Sequence, residues 1–299
     1  MSALTDFSKD LAAIVEAGGR GVVRVEARRR FPSSGIVWSA DGTVITAAHT
    51  VEREEEIRVG LPDGSAVPAT LVGRDPSTDL AMLRLEGAAS GLAPAPRGDT
   101  DGLRVGHLVM VLGRPGRTVR ATLGIVGAFG EAWRTPGGVE IDHYLQPDVG
   151  FFPGISGGAL VDTSGRVLGL YTVGLRRRTG VAIPSATIDR VSATLSTHGK
   201  IRRGYLGVEP RPVRLGPEVE QSAGQRTGLL LLSVEKDSPA LKGGLMVGDI
   251  LLSLDGREVP LPHDLLAALS DEMIGRAVSV RLIRGGEVRE VSVTIGERT

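Results

Sequence analysis

Phe152-Pro153-Gly154-Ile155-Ser156-Gly157-Gly158-Ala159-Leu160 sets a serine between glycines after a tight turn, which is how a backbone presents a nucleophilic hydroxyl. Gly154 and Gly157-Gly158 lack a Cβ, so the chain can turn sharply and a substrate carbonyl can come close to the main chain. The N–H groups of Gly154 and Ser156 can then converge on one point and stabilise the oxyanion formed when a hydroxyl attacks an acyl carbon. Gly-Ser clusters are more often plain turns, so Ser156 as nucleophile needs support from elsewhere in the chain.

Two stretches supply it. Thr46-Ala47-Ala48-His49-Thr50-Val51 follows the apolar runs Ile36-Val37-Trp38 and Val44-Ile45, which puts His49 at the end of a strand as a candidate general base. Asp75-Pro76-Ser77-Thr78-Asp79 precedes the apolar run Leu80 to Leu85, which puts Asp79 at the mouth of another strand, where it can orient an imidazole. A serine hydroxyl is a weak nucleophile until a base activates it, and the base needs a fixed partner. Singly, His49 reads equally well as a packed core histidine and Asp79 as a turn cap. Together they stand in the order His, Asp, Ser used by chymotrypsin-like barrels. That order and the absence of a parallel-sheet pattern argue against an esterase of the α/β-hydrolase type.

The segments TAAHTV, DPSTDLAMLRL and GISGGAL resemble the three catalytic segments of HtrA/Deg-family serine proteases. Similar family segments are Gln146-Pro147-Asp148, Val181-Ala182-Ile183-Pro184-Ser185 and Gly204-Tyr205-Leu206-Gly207-Val208. The resemblance implies His49, Asp79 and Ser156 as the triad, with the Gly154 and Ser156 main chain as oxyanion hole. It also implies an ATP-independent endopeptidase of protein quality control, cleaving unfolded proteins after small or medium aliphatic residues, and assembling as a homotrimer or higher oligomer. One position departs from the pattern: Ile155 stands where the family commonly has Asn, and it has no side-chain hydrogen bond to give the turn. That departure carries the rival reading, a latent or inactive peptide-binding or chaperone protein on the same fold.

Composition bounds the answer. The 299 residues suit two or three domains, and 41% apolar with 23% charged residues is ordinary for a globular chain. A net charge of zero argues against a nucleic-acid partner. The clusters Arg28-Arg29-Arg30 and Arg176-Arg177-Arg178 read as solvated loops. Without cysteine there are no disulfides, and redox compartment stays open. Residues 1–20 contain Asp6, Asp10 and Glu16 and no long apolar run, so the sequence as it stands reads as cytoplasmic; a truncated N-terminus would leave a periplasmic or membrane-associated location. No histidine has a companion at metal-ligand spacing, and neither metal nor cofactor is expected.

Along the chain, Leu4 to Ala17 is expected to be a helix with Leu4, Phe7, Leu11, Ile14 and Val15 on one stripe, stopped by Gly18-Gly19. A stripe of this kind usually packs on its own domain, and by resemblance Phe7 is a candidate trimer contact. Twelve short apolar or alternating runs follow between 22 and 183, with Asp41-Gly42 and Asp63-Gly64 as hairpin turns. They predict a mainly β, chymotrypsin-like double barrel over residues 21–198, linked through Gly87 to Asp101. His49 and Asp79 then fall on the first barrel and Ser156 on the second. Residues 184–198 predict a closing helix with Ser185 as N-cap. Substrate is expected to pair with a free edge at Leu170-Tyr171-Thr172-Val173, beside an apolar neighbourhood of Phe151, Phe152 and Ile155.

After a short basic linker, residues 204–299 resemble a small α+β PDZ domain of the bacterial protease type. Tyr205, Leu206, Gly207 and Val208 are its candidate peptide-binding segment. Free N–H groups there would hold a C-terminal carboxylate, Leu206 and Val208 would line a side-chain pocket, and the helix 262–269 would form the other wall.

Overall fold

Short Val-, Ile- and Leu-rich runs cut by left-handed turns have one economical solution, which is to close into barrels that bury one face and leave no edge. The computed structural model describes residues 2–87, 92–176, 179–199 and 203–297, without the side chain of His198. Arg177, Arg178 and the linker residues 88–91 and 200–202 lie outside the described residues. The chain divides into two compact units, residues 1–133 with 140–200, and 134–139 with 201–299.

In the first unit, β1 (Val22–Glu26), β2 (Ser33–Ser39), β3 (Thr43–Ala47), β4 (Ile57–Gly60), β5 (Ala66–Asp75) and β6 (Leu80–Leu85) form a closed barrel in the order β1-β2-β3-β6-β5-β4. Val23, Val25, Val37, Val44, Ile57, Val59 and Leu83 fill it. Gly42 and Gly64, both at positive φ, make the hairpin turns that Asp41-Gly42 and Asp63-Gly64 announce. The second half contributes β7 (Leu108–Gly113), β8 (Arg120–Gly130), a two-residue pair β9 (Trp133–Arg134) and β10 (Glu140–Ile141), then β11 (Tyr144–Asp148), β12 (Gly158–Val161), β13 (Val167–Thr172) and β14 (Val181–Pro184). Six of these close a second barrel, β11-β14-β13-β12-β7-β8. The run expected as one strand from 141 to 145 is broken at Asp142 and His143.

Helix α1 (Ala3–Gly19) is capped by Ser2 and includes both glycines expected to stop it. Gly18 and Gly19 serve close approach instead: a Cβ on Gly18 would fall 2.8 Å from Leu112 Cδ1, and one on Gly19 would fall 3.3 Å from Val119 Cγ2. Only this C-terminal end is buried, and Leu4 and Phe7 are exposed rather than packed on the domain. Helix α2 (Ser185–His198) buries Ile188, Val191 and Leu195. Ser185 is its first residue and not its N-cap, because its hydroxyl donates to Val167 O at 2.8 Å and the cap position falls to Pro184.

The second unit contains β15 (Gly204–Tyr205), β16 (Val208–Arg214), α3 (Pro217–Ala223), β17 (Thr227–Val234), α4 (Pro239–Lys242), β18 (Ile250–Leu254), β19 (Arg257–Glu258), α5 (Pro262–Ala268), β20 (Ala277–Arg284), β21 (Glu287–Thr294) and β22 (Gly296–Glu297). Its main sheet runs β16-β17-β18-β20-β21. Leu229, Leu231, Leu245, Leu251, Leu265 and Val280 are among the residues of its core.

Candidate active site

His49 and Ser156 line one cleft of about 270 Å³ in the first unit, and Asp79 contacts the imidazole from outside that lining. His49 lies in the 3-10 turn directly after β3, Asp79 directly precedes β6, and Ser156 lies two residues ahead of β12. Asp79 takes φ +57°, a left-handed backbone that costs about 1 kcal/mol in a residue with a Cβ. That conformation is held from both sides: Ala48 N–H donates to Asp79 O at 3.0 Å, and His49 N–H donates to Asp79 Oδ1 at 2.8 Å. Asp79 is 3% exposed, so its carboxylate oxygens need hydrogen-bond partners within the fold. Its Oδ2 lies 2.8 Å from His49 Nδ1 and also accepts the hydroxyl of Thr172. With Nδ1 engaged by the carboxylate, Nε2 is the nitrogen left to handle a proton.

Ser156 lines the same cleft as His49 and Gly154. Among the described residues no hydrogen bond joins its Oγ to the imidazole. The turn ahead of it has the type II signature: Pro153 at the second position, Gly154 at φ +84° at the third, and Ile155 N–H donating to Phe152 O at 3.2 Å. Gly154 is obligatory there, since a Cβ would fall 2.5 Å from both Pro115 Cβ and Pro32 O. Neither the Gly154 nor the Ser156 N–H has an acceptor among the described residues.

Ile155 is wholly buried in the core of the second barrel, with Phe152, Leu160 and Val109. Burial of a side chain that size contributes about 2 kcal/mol to holding the turn. The turn is therefore anchored by apolar packing at the position where a hydrogen-bonding side chain was the expectation. Phe152 sits in the same core beneath the guanidinium of Arg120, whose Cζ is 4.3 Å from the ring centroid.

These placements correct the expected substrate contacts. Strand β13 pairs with β12 on one side and β14 on the other, from residue 169 to 171, and Thr172 still pairs with Val181. A closed barrel has no free edge, so Leu170 and Tyr171 offer none; the chain leaves the sheet only at Val173 and Gly174. Leu170 and Ile155 are 0% exposed and face the core, and the Thr172 hydroxyl is committed to Asp79. Tyr171 and Val173 do line an adjoining cavity of about 390 Å³, with Phe151, Thr179 and Gly180, and with Asp148 and Arg176 also on its wall. Burial pushes the Tyr171 phenol up, so it stays protonated. Phe151 and Val173 border both this cavity and the cleft, so the two adjoin.

Several contributors are invisible to motif reading. Thr172 was expected to meet substrate and instead serves Asp79. Gly174 lies over the His49–Asp79 pair: a Cβ there would fall 2.6 Å from His49 Nδ1 and closer still to Asp79 Oδ2. Ser34 on β2 and Arg114 after β7 meet beneath the Ser156 turn. Arg114 is buried, its guanidinium donating to the carbonyls of Val22, Arg117 and Gly19, and burial lowers its pKa.

In the second unit, Tyr205 to Val208 lead into β16, which among the described residues pairs only with β17 and is an edge strand. Gly207 is at φ +80°, and a Cβ there would collide with Ser238 and come within 3.0 Å of the Tyr205 hydroxyl. That hydroxyl donates to Glu235. Leu206 is buried in the domain core and Val208 is half-buried against it.

The trypsin-like peptidase domain family matches residues 33–170, and the PDZ domain family matches residues 204–295. A probable periplasmic serine endoprotease, DegP-like, of Ectopseudomonas mendocina (strain ymp) is 36% identical over 269 residues, covering 88% of this chain and 56% of that protein. One of the same description from Pseudomonas fulva (strain 12-X) is 34% identical over 298 residues, covering 97% and 60%. The chain thus spans little more than half the length of the curated relatives it matches. Among solved structures, the HtrA-type protease AlgW with tripeptide superposes with a TM-score of 0.73 at 31% identity, over 96% of this chain and 97% of that one. The serine endoprotease from Yersinia pestis superposes with a TM-score of 0.74 at 28% identity, over 96% and 98%. The chain belongs to the HtrA/Deg family of trypsin-like serine proteases with a PDZ domain.

Proposed function

We propose that this chain is an ATP-independent serine endopeptidase that cleaves unfolded or misfolded proteins as part of protein quality control. The observation that carries the reading is the His49–Asp79 contact of 2.8 Å, made at the rim of the cleft that Ser156 and Gly154 line. Ser156 Oγ attacks the scissile carbonyl while His49 Nε2 takes its proton. Negative charge on the carbonyl oxygen is met by the N–H groups of Gly154 and Ser156. His49 then returns the proton to the leaving amine, the C–N bond breaks, and an acyl-enzyme remains on Ser156. Water, activated by the same imidazole, attacks the ester and frees Ser156. Asp79 holds the tautomer and stabilises the imidazolium throughout.

The acyl side of substrate aligns along Val173 and Gly174, where the chain has left the barrel, and its last side chain enters the cavity bordered by Phe151, Tyr171 and Val173. That lining favours small or medium aliphatic residues. The PDZ unit takes peptide C-termini along the edge of β16, between Tyr205–Val208 and α5. A homotrimer or larger assembly accords with the exposed Phe7 and Leu4 of α1. No helix among the described residues is long and apolar enough to cross a membrane. The names of the relatives favour a periplasmic setting over the cytoplasmic one expected from the sequence.

Labelling by a fluorophosphonate and casein turnover, each compared with Ser156→Ala, test this. Both are expected in the parent chain and neither in the variant. Labelling without turnover points to a latent enzyme. No labelling, with peptide binding at the PDZ unit intact, supports a peptide-binding protein on a protease fold and refutes the reading.

A further inference from the structure

The turn that carries the candidate oxyanion donors is anchored by a single residue of the other barrel. Ser34 is wholly buried on β2. Its hydroxyl donates to Gly154 O at 2.7 Å, and its N–H donates to Ser156 O at 3.1 Å. The hydroxyl oxygen in turn accepts Arg114 N–H at 2.8 Å, so its one proton is directed at Gly154. Ser34 O is fixed as well, by the hydroxyl of Thr46 at 2.7 Å. Every hydrogen-bonding group of Ser34 is thus committed either to the Ser156 turn or to holding Ser34 itself.

The peptide between Ile155 and Ser156, whose N–H is one oxyanion donor, is flanked by two peptides whose carbonyls, Gly154 O and Ser156 O, are both held by Ser34. The other donor, Gly154 N–H, lies one peptide outside the bracket, and its angle is set by the same turn. Ile155 anchors the turn from the opposite side by packing, but packing has no directional preference for a carbonyl, whereas a hydrogen bond at 2.7 Å does.

We propose that Ser34 is a positioning residue for the oxyanion hole: its hydroxyl and N–H hold the carbonyls of Gly154 and Ser156 so that the two amides stay aimed at the reacting oxygen. The proposal rests on the protease reading above. It makes the geometry of the hole depend on how the first barrel docks against the second, since Ser34 belongs to one and the turn to the other.

The test is Ser34→Ala, with Ser34→Cys as an intermediate because a thiol keeps the size and is a weak donor. All variants are assayed on the full chain at least about 15 °C below their measured Tm, so that folded populations match. A donor removed from an oxyanion hole costs about 10²- to 10³-fold in kcat, and a donor left in place but loosely aimed should cost less, about 10- to 100-fold. The expected pattern is a loss of that size in kcat with KM within about threefold, because only the transition state uses the hole. Affinity for a peptide boronate, which forms a tetrahedral adduct on Ser156, falls by the same factor, and the cysteine variant lies between. A purely structural role would move Tm and leave these ratios alone. If folded Ser34→Ala keeps kcat within about twofold, or loses it without loss of boronate affinity, the proposal is overturned. If Ser34→Ala does not fold, the same criteria apply to Ser34→Cys. A parent chain that neither labels nor turns over substrate refutes the protease reading, and this assignment with it; an active parent with an equally active Ser34→Ala refutes the assignment alone.

Discussion

Gly174→Ala is the substitution for which the geometry makes the sharpest demand. The added methyl would sit 2.6 Å from His49 Nδ1 and nearer to Asp79 Oδ2, whereas ordinary contact begins at about 3.4 Å. The ring therefore has to retreat by about 0.8 Å, relative either to Asp79 or to Ser156. The backbone at 174 is not free to yield instead, because its N–H is bonded to Thr172 Oγ1 at 3.0 Å, and that hydroxyl is bonded to Asp79. A misplacement of about 1 Å in a reacting group can cost about 100-fold, so kcat should fall about 30- to 100-fold. Complete loss of the orienting role of Asp79 sets a ceiling near 10⁴-fold. Gly174 is solvent-exposed and not at positive φ, so its backbone tolerates a Cβ, and relieving the overlap with the buried Asp79 carboxylate should cost about 1–3 kcal/mol, or roughly 2–12 °C in Tm. Two rates are measured, steady-state hydrolysis of a quenched peptide and acylation by a small fluorophosphonate. The second needs no extended pairing along residues 173–174, so a parallel loss in both assigns the defect to the His49–Asp79 pair. If the variant, assayed well below its own Tm, acylates within about threefold of the parent, the arrangement of Gly174 over that pair is not the working one.

Two predictions concern stability. Asp41 accepts from the Ser39 and Thr43 hydroxyls and from Arg84 in the first hairpin, which holds its carboxyl well below the usual carboxylate range. A depressed folded pKa contributes stability above the unfolded value of about 3.9 and loses it as pH falls through the folded pKa. Asp41→Asn should therefore lower Tm by a constant amount from pH 7 down to about 5, with the difference closing below about pH 4. In the PDZ unit, Asp249 is 1% exposed and binds Arg284 through two bonds of 2.7 Å, with Met246 N–H at 2.8 Å. Arg284→Met strands a buried carboxylate with one donor and should cost about 3 kcal/mol, read as faster amide exchange across 203–297. Unchanged exchange there would refute the reading of that pair as structural.

What was legible in the chain follows from which signals are local. The barrels could be read because most of their strands are short apolar runs, and turn residues such as Asp41-Gly42, Asp63-Gly64 and Pro115-Gly116 separate several of them. His49, Asp79 and Ser156 could be located because each lies at a strand end within a contiguous motif. The surrounding residues are a different matter. Thr172, Ser34 and Arg114 act on partners about 80 to 120 positions away, and within their own segments they look like ordinary strand or loop residues. How Ile155 holds the turn was not legible for a related reason. Its side chain has nothing to offer a turn when only neighbouring positions are considered, but the turn rests on a barrel core that holds Val109, Leu160 and Phe152, and there an apolar side chain is the one that fits. The free edge expected at 170–173 failed because an apolar strand carries no mark of whether both of its neighbours are present; closure of the barrel decides that, and it leaves only Val173 and Gly174 outside. The same reasoning explains why Gly174 matters. It looks like a loop glycine among many, but it is the second residue past the closed strand and lies directly over the His49–Asp79 pair, so the step out of the barrel and the space for the imidazole are one requirement.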